Sequence, residues 1–274
     1  MTCVLLAALS APAWGQAQVE QVGDQFQITV FHKSESKSEG STSTSSGGHA
    51  YLEQILSVSE DGVERSYDLP LSPDDDERII NWQFPVRLFE ASDGRVEILN
   101  RSELEARRDS WLQAEEIPVE ACGTWHFTWN AFQLDCDPDA ILETIRAINI
   151  QPESLIDGVA FTHPAALYPG QLQSAKDDSG LFRVEMKINP DWFYRTNAQS
   201  DVIVGDIMRK PISFEEAYAK RQAEQITGTI EVVLKADANG RVREQITSIE
   251  TIRTEVAGKI KTEISTETIK RERI

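Results

Sequence analysis

Apolar and polar residues alternate along much of the chain, and this period of two is typical of β-strands with one buried face. Over residues 25–32, Phe26, Ile28 and Val30 share one face. Similar short patterns predict further strands over residues 52–58, 63–69, 82–89, 95–100, 229–235, 241–248, 252–256 and 260–264. The chain is therefore expected to be rich in β-structure.

Glycine follows aspartate or asparagine between several of these strands, at Gly62, Gly94 and Gly240. Because glycine readily adopts the positive φ angles that tight hairpins need, these pairs predict antiparallel hairpins. In the last hairpin, residues 252–264, charged side chains alternate with apolar ones. We expect the charged face of this hairpin to be the solvated one.

Three helices are indicated by capping residues at their expected starts. The start signals are Ser102 with Glu105, Asp137 with Pro138, and Ser213 with Glu216. The first helix is expected to end near Ala114, because Pro118 follows shortly after it. The second carries isoleucine and leucine at helical spacing, which predicts one buried stripe.

Together these patterns predict an α+β fold, in which a meander of antiparallel hairpins carries about three helices on one face. No shift in composition divides the chain, so residues 18–274 are predicted to form a single β-rich domain. Residues 33–48 contain mainly Ser, Thr, Gly, Glu and Lys, with no apolar residue to anchor them. We expect this segment to be a flexible Ser/Gly-rich loop at the tip of the first hairpin.

Residues 1–17 resemble a signal peptide that lacks a basic start. No charged residue precedes Glu20, and an apolar run from Cys3 to Leu9 is followed by Pro12 and small residues. The run is much shorter than the roughly 20 residues that span a bilayer. A buried N-terminal strand or helix is the alternative interpretation. Export would make the protein periplasmic or secreted.

Removal of such a leader leaves two cysteines, Cys122 and Cys136. An even number of cysteines in an exported chain favours a disulfide, and these two are too far apart for a C-x-x-C redox motif. We therefore predict a structural disulfide between them.

The charge balance excludes some functions. Lys plus Arg is 27 and Asp plus Glu is 45, so the 274-residue chain carries a net charge of −18. Such a chain repels phosphate backbones and anionic lipid surfaces, so nucleic acid is not an expected partner. After the leader, no segment is long and apolar enough to be an integral membrane segment.

Sequence motifs for catalysis are missing. The chain contains no G-x-S-x-G, P-loop, G-x-G-x-x-G or H-E-x-x-H pattern, and its four histidines are far apart. Asp135, Asp137 and Asp139 have a spacing that could collect carboxylates round Ca²⁺, but the glycine turn and final glutamate of a calcium loop do not follow. We predict no catalytic residues, no metal site and no cofactor.

An aromatic segment lies between the two cysteines. On a strand, Trp125, Phe127 and Trp129 would share one face and could line a ligand cleft. The alternative is that these rings simply fill the core between sheet and helices.

The favoured hypothesis is a non-catalytic, exported protein of the cell envelope that binds a small apolar or amphipathic ligand, or a partner protein. Lipid carriers with curved sheets under helices provide an analogy at the level of fold only. One alternative is a scaffold that presents the 33–48 loop and a charged edge strand over residues 259–263. The other is a secreted hydrolase with two catalytic carboxyl groups.

Overall fold

The structure is a computed structural model that describes residues 20–72, 75–127, 131–150, 155–175, 178–237, 240–256 and 258–274. The predicted signal peptide, residues 1–17, lies outside these ranges. Within them, no helix has the length and apolarity that crossing a bilayer would require.

Strands dominate this part of the chain. They are β1 (Gln25–Ser38), β2 (Ser41–Val58), β3 (Gly62–Asp68), β4 (Val86–Ala91), β5 (Val96–Ile98), β6 (Trp125–Phe127), β7 (Ala131–Gln133), β8 (Ala160–Phe161), β9 (Gly170–Gln171), β10 (Gln173–Ala175), β11 (Asp178–Lys187), β12 (Gln225–Ala236), β13 (Val242–Thr254) and β14 (Ile260–Arg273). The α-helices are α1 (Glu77–Ile80), α2 (Arg101–Ala114), α3 (Ile141–Ile148), α4 (Pro190–Ile207) and α5 (Phe214–Gln222). The predicted β-rich, helix-containing fold is confirmed, but the described residues contain five α-helices rather than about three.

Ten of the described strands form one antiparallel sheet, in the order β10-β11-β12-β13-β14-β1-β2-β3-β4-β5. Neighbours in the sheet are also neighbours along the chain, except where β14 pairs with β1. That pairing runs from Phe26 opposite Arg273 to Lys37 opposite Thr262. The last strand of the chain therefore joins the two halves of the meander.

One hydrophobic core connects a face of this sheet with the helices. Ile28 and Val30 of β1 belong to the same cluster as Val232 of β12. The cluster also includes residues that point inward from α2 and α3, namely Leu104, Trp111, Leu112, Ile141, Ile145 and Ile148. The isoleucines of the apolar stripe predicted for α3 are thus buried in the core that the helices share with the sheet.

Residues 33–48, predicted to be a loop, form the outer half of a β-hairpin. β1 and β2 stay paired as far as Ser38 opposite Ser41, with Gly40 in the turn at a φ of 81°. Serine side chains bond across the pair: Ser34 to Ser45 at 3.2 Å and Ser36 to Ser43 at 3.1 Å. Paired strands therefore stand where a loop was predicted, and β14, distant in the sequence, pairs with the other side of β1 as far as Lys37. The flexibility expected of this segment stays a prediction.

The predicted faces of the last hairpin are also wrong. Ile252, Ile260 and Ile264 are exposed, whereas Lys261 and Glu263 on the opposite face are half-buried. β14 is not an edge strand, since it lies between β13 and β1. The strand predicted over residues 82–89 begins at Val86 instead, after Pro85, which has no N–H to donate to a neighbouring strand.

Candidate ligand-binding groove

The C-terminus of α2 forms one wall of the candidate site. Glu116 follows the helix at a φ of 53° and donates its N–H to the carbonyl of Gln113, 3.3 Å away. The N–H of Ile117 reaches back to the carbonyl of Leu112 at 2.9 Å. These two bonds are a Schellman motif, and they turn the chain back so that it passes beside the helix.

A disulfide closes the opposite wall. Cys122 and Cys136 are bonded, with an S–S distance of 2.04 Å and a Cα–Cα distance of 5.5 Å. Gly123 donates its N–H to the carbonyl of Leu134 at 2.7 Å, and the N–H of Leu134 bonds to Thr124 at 3.0 Å. The structure thus contains the predicted disulfide, at the base of the β6–β7 hairpin.

Arg108 links the two walls. Its Nη1 donates to the carbonyl oxygen of Cys136 at 3.3 Å, and its Nη2 lies 2.8 Å from a carboxylate oxygen of Asp109. The guanidinium group of Arg108 thus joins α2 to the disulfide segment by a hydrogen bond.

Between these walls lies an open groove. One part has a volume of about 480 Å³ and an adjoining part about 400 Å³. Both parts are lined by Asp109, Leu112 and Val119. The larger part also contacts both cysteines of the disulfide. Val119 is 68% exposed, although it is apolar and lies in a well-defined turn.

The rim of the groove is acidic. Asp109, Glu116, Asp135 and Asp137 line it, against one guanidinium group, that of Arg108. An apolar floor below a predominantly negative rim suits an amphipathic molecule whose polar end is neutral or positively charged.

The aspartates at positions 135 and 137 also have local structural roles. Asp135 accepts a hydrogen bond from the N–H of Asp137 at 2.9 Å, and Asp137 accepts one from the N–H of Asp139 at 3.0 Å. Asp137 therefore acts as the predicted cap, here for a short 3₁₀ turn that leads into α3. Within the described residues, no cluster of three His, Cys, Asp or Glu side chains could hold a metal ion.

The groove differs from the site expected from the aromatic segment. Trp125 lies on β6 and is 37% exposed, but it is not among the residues that line the groove. The side chain of Phe127 and the whole of Trp129 lie outside the described part of the chain. Their role in ligand binding stays a prediction.

Sequence reasoning missed Arg108, Leu112 and Val119. A usable signal was the short connection of seven residues between the predicted helix end at Ala114 and Cys122. A connection of this length limits how far the disulfide can lie from the end of α2, to about 25 Å at full extension.

A second concentration of polar groups lies on the sheet, and we call Glu20, Glu53, Arg65, Glu90 and Arg271 the arginine–glutamate cluster. Glu53 is buried, and its two oxygens accept bonds from Arg65 and Arg271, both at 2.6 Å. Glu20 bonds to the same two arginines at 2.7 and 2.9 Å, and Glu90 bonds to Arg65 at 2.9 Å.

The charges of this cluster act on the pKa values of its neighbours. Burial raises the pKa of Glu20, but the positive charges of Arg65, Arg271 and Arg241 outweigh burial and lower it overall. Burial and the nearby carboxylates of Glu53 and Glu90 raise the pKa of Tyr67 well above its usual 10. A hydrolase acid needs a carboxyl group that holds its proton near neutral pH, and Glu20 has the opposite property.

Comparisons with known proteins find only distant structural similarities. No family model and no curated protein matches the chain. Among solved structures, one titled "Lipid-protein interactions in lipovitellin" is similar to it, with 10% sequence identity and a TM-score of 0.34. The match covers 92% of this chain but 25% of the other, so this chain spans about a quarter of that protein's length.

Proposed function

We propose that this protein is a non-catalytic binding protein for a small amphipathic molecule, which it holds in the groove between α2 and the disulfide. The observation that carries the proposal is an apolar groove of about 480 Å³ in which Val119 is left 68% exposed. Ligand sites in proteins usually measure roughly 300–1,000 Å³ and are mostly apolar.

The lining determines the class of ligand. An alkyl chain on Val119 and the disulfide would remove apolar surface from water, at about 25 cal/mol per Å². A cationic head group would lie against the carboxylates of the rim. We therefore propose a single-chain amphipath with an ammonium-type head in preference to a fatty acid.

The disulfide also supports an exported location, periplasmic or secreted, because such bonds persist in oxidising compartments. Mass spectrometry of protein recovered from the periplasm tests this part of the proposal. The measured mass should be that of the chain without the leader, less two hydrogens for the disulfide.

Titration calorimetry with decyltrimethylammonium and decanoate, both below their critical micelle concentrations, tests which head group the groove prefers. We expect the ammonium compound to bind more tightly than the carboxylate. Val119→Gln should weaken its binding about fivefold, since partial burial of a valine contributes roughly 1 kcal/mol.

Val22→Gln is the matched control, because Val22 is 65% exposed and lies outside the groove lining. It should leave the affinity unchanged. Equal affinity for the two amphipaths would contradict the proposed head group. An equal loss of affinity in both valine variants, or no loss in either, would contradict the groove as the binding site.

A further inference from the structure

The disulfide is a chemically reactive group that faces the groove. Cys122 and Cys136 are only partly buried, and both line the larger part of the groove, which has a volume of about 480 Å³. Thiol–disulfide exchange requires a thiolate to reach one of the two sulfurs. The groove is open and large enough to admit a small thiol to this bond.

The charges beside the disulfide are mostly negative. Asp135 and Asp137 flank Cys136 in the sequence and line the same part of the groove as Asp109 and Arg108. The Nε and Nη2 atoms of Arg108 both bond to one carboxylate oxygen of Asp109, at 2.9 and 2.8 Å, so these two charges largely offset each other. Asp135 and Asp137 instead accept backbone N–H groups, at 2.9 and 3.0 Å, which leaves their negative charges in place.

The two sulfurs differ as leaving groups. Attack on Sγ of Cys136 releases a thiolate on Cys122, whose neighbours Ala121 and Gly123 are uncharged. Attack on Sγ of Cys122 would release the thiolate on Cys136, between two aspartates that repel its charge. The residues around the bond therefore favour attack on Cys136.

We propose that this disulfide exchanges selectively with thiols that carry an ammonium group, by attack on Sγ of Cys136, and resists anionic thiols. The ammonium group would lie beside Asp135 and Asp137, where a sulfonate or carboxylate would be repelled. The thiol first loses its proton to water, and its sulfur then bonds to Cys136 as the S–S bond breaks. The incoming sulfur is oxidised, and the sulfur of Cys122 is reduced to a thiolate that takes a proton from water.

The reaction would leave the groove wall in place. The N–H of Gly123 bonds to the carbonyl of Leu134 at 2.7 Å, and the side-chain amide of Gln133 donates to the carbonyl of Gly123 at 2.8 Å. These bonds hold the base of the β6–β7 hairpin without using the sulfur atoms. The mixed disulfide is therefore expected in a folded chain, and it does not depend on the amphipathic ligand proposed above.

Exchange rates with two small thiols of opposite charge test the selectivity. Cysteamine carries an ammonium group and mercaptoethanesulfonate a sulfonate, and mass spectrometry of acid-quenched samples follows the loss of the disulfide at low ionic strength. The same thiols reacting with hydroxyethyl disulfide, which is uncharged, correct for their intrinsic reactivity. We expect the corrected ratio of the cysteamine rate to the sulfonate rate to be at least about tenfold, and to fall as added salt screens the charges.

Asp135→Asn combined with Asp137→Asn is the diagnostic variant, because both amides keep an acceptor for the backbone N–H groups. Its corrected ratio should fall to about threefold or less. Asp61→Asn combined with Asp93→Asn is the matched control, with the same change in net charge at turns outside the groove lining. It should keep the ratio of the parent protein.

Peptide mapping of the quenched samples locates the adduct, which we expect on Cys136 with a free thiol on Cys122. Four results would each overturn the proposal: adducts mainly on Cys122, a corrected ratio near one, an equal loss of selectivity in both double variants, or a folded protein whose disulfide reacts with neither thiol. Calorimetry with the amphipaths, on protein whose disulfide is intact, tests the proposed function separately.

Discussion

Glu116 occupies a backbone conformation that ordinarily belongs to glycine. Its φ of 53° lies in the left-handed region, which costs a residue with a Cβ roughly 1–2 kcal/mol. It also places a carboxylate at the C-terminus of α2, where the helix dipole disfavours negative charge. Glycine is the commonest residue at this position of a Schellman motif.

We expect Glu116→Gly to raise the free energy of unfolding by about 0.5–1 kcal/mol, because the gain exceeds glycine's greater freedom in the unfolded chain. Urea denaturation measures the change. Glu116→Ala removes the same charge but keeps the Cβ, so its free energy of unfolding should rise by less. Equal gains in the two variants would mean that charge, not backbone conformation, is responsible.

His163 makes stability depend on pH. Burial lowers its pKa below the ordinary 6.5, and its Nδ1 accepts the N–H of Ala165 at 3.2 Å. The unfolded chain therefore takes up this proton at a higher pH than the folded chain does. Stability from this group is fully present above pH 6.5 and is lost as the pH falls through the folded pKa.

His163→Asn should keep an acceptor for the N–H of Ala165 but remove the titration. We expect the variant to lose less unfolding free energy than the parent between pH 7 and pH 5, measured by urea denaturation at each pH. An identical pH dependence in both proteins would show that His163 is not responsible.

Helix caps were predictable from the sequence where the capping side chain bonds a backbone N–H only a few residues further along the chain. Asp137 and Ser213 both accept the N–H bonds expected of caps, from Asp139 and Glu216. Ser102 does not cap α2, which begins at Arg101 after Asn100. There the Asn100 side chain instead accepts the N–H of Arg87, a strand residue that the local sequence could not indicate.

At the scale of elements, the arginine–glutamate cluster ties together strands that are distant in the sequence. Glu53 on β2 bonds Arg65 on β3 and Arg271 on β14, and the ring of Phe26 lies 3.5 Å from the Arg271 guanidinium carbon. Removing one partner from a buried ion pair costs about 3–5 kcal/mol, because the remaining charge stays buried without compensation.

We expect Glu53→Gln to lower the free energy of unfolding by about 3 kcal/mol, at the low end because the amide oxygen still accepts one bond. Glu64→Gln is the comparison, since Glu64 pairs with the more exposed Arg87 and its loss should cost less than about 1 kcal/mol. Similar small losses in both variants, by urea denaturation, would contradict a stabilising cluster.

Local pattern predicted some elements and missed others for physical reasons. Helix α4 begins with Asn189 as its cap and Pro190 at its first position, yet the aromatic run that follows masked the helical period. Its three rings at positions 192–194 are all partly buried against the core. Residues 33–48 lack apolar side chains, so their strand conformation depends on the pairing of β1 with β2 and, as far as Lys37, on pairing with β14, more than 200 residues away.

At the scale of the whole molecule, hairpin turns were enough to predict an antiparallel meander. The pairing of β14 with β1, which no turn encodes, determines which strands are interior and which edge stays open. The groove likewise depends on a contact between α2 and the disulfide segment, made by Arg108 across 28 positions of sequence. The fold class was therefore predictable, while the site required the tertiary arrangement.

The central claim is that an amphipathic ligand occupies the groove beside the disulfide. The most direct measurement is photocrosslinking with a diazirine-bearing decyltrimethylammonium probe, followed by peptide mapping. We predict crosslinks within residues 108–123 and 133–137 that unlabelled decyltrimethylammonium competes away. Crosslinks confined to other parts of the chain, or labelling that competitor does not reduce, would contradict the account.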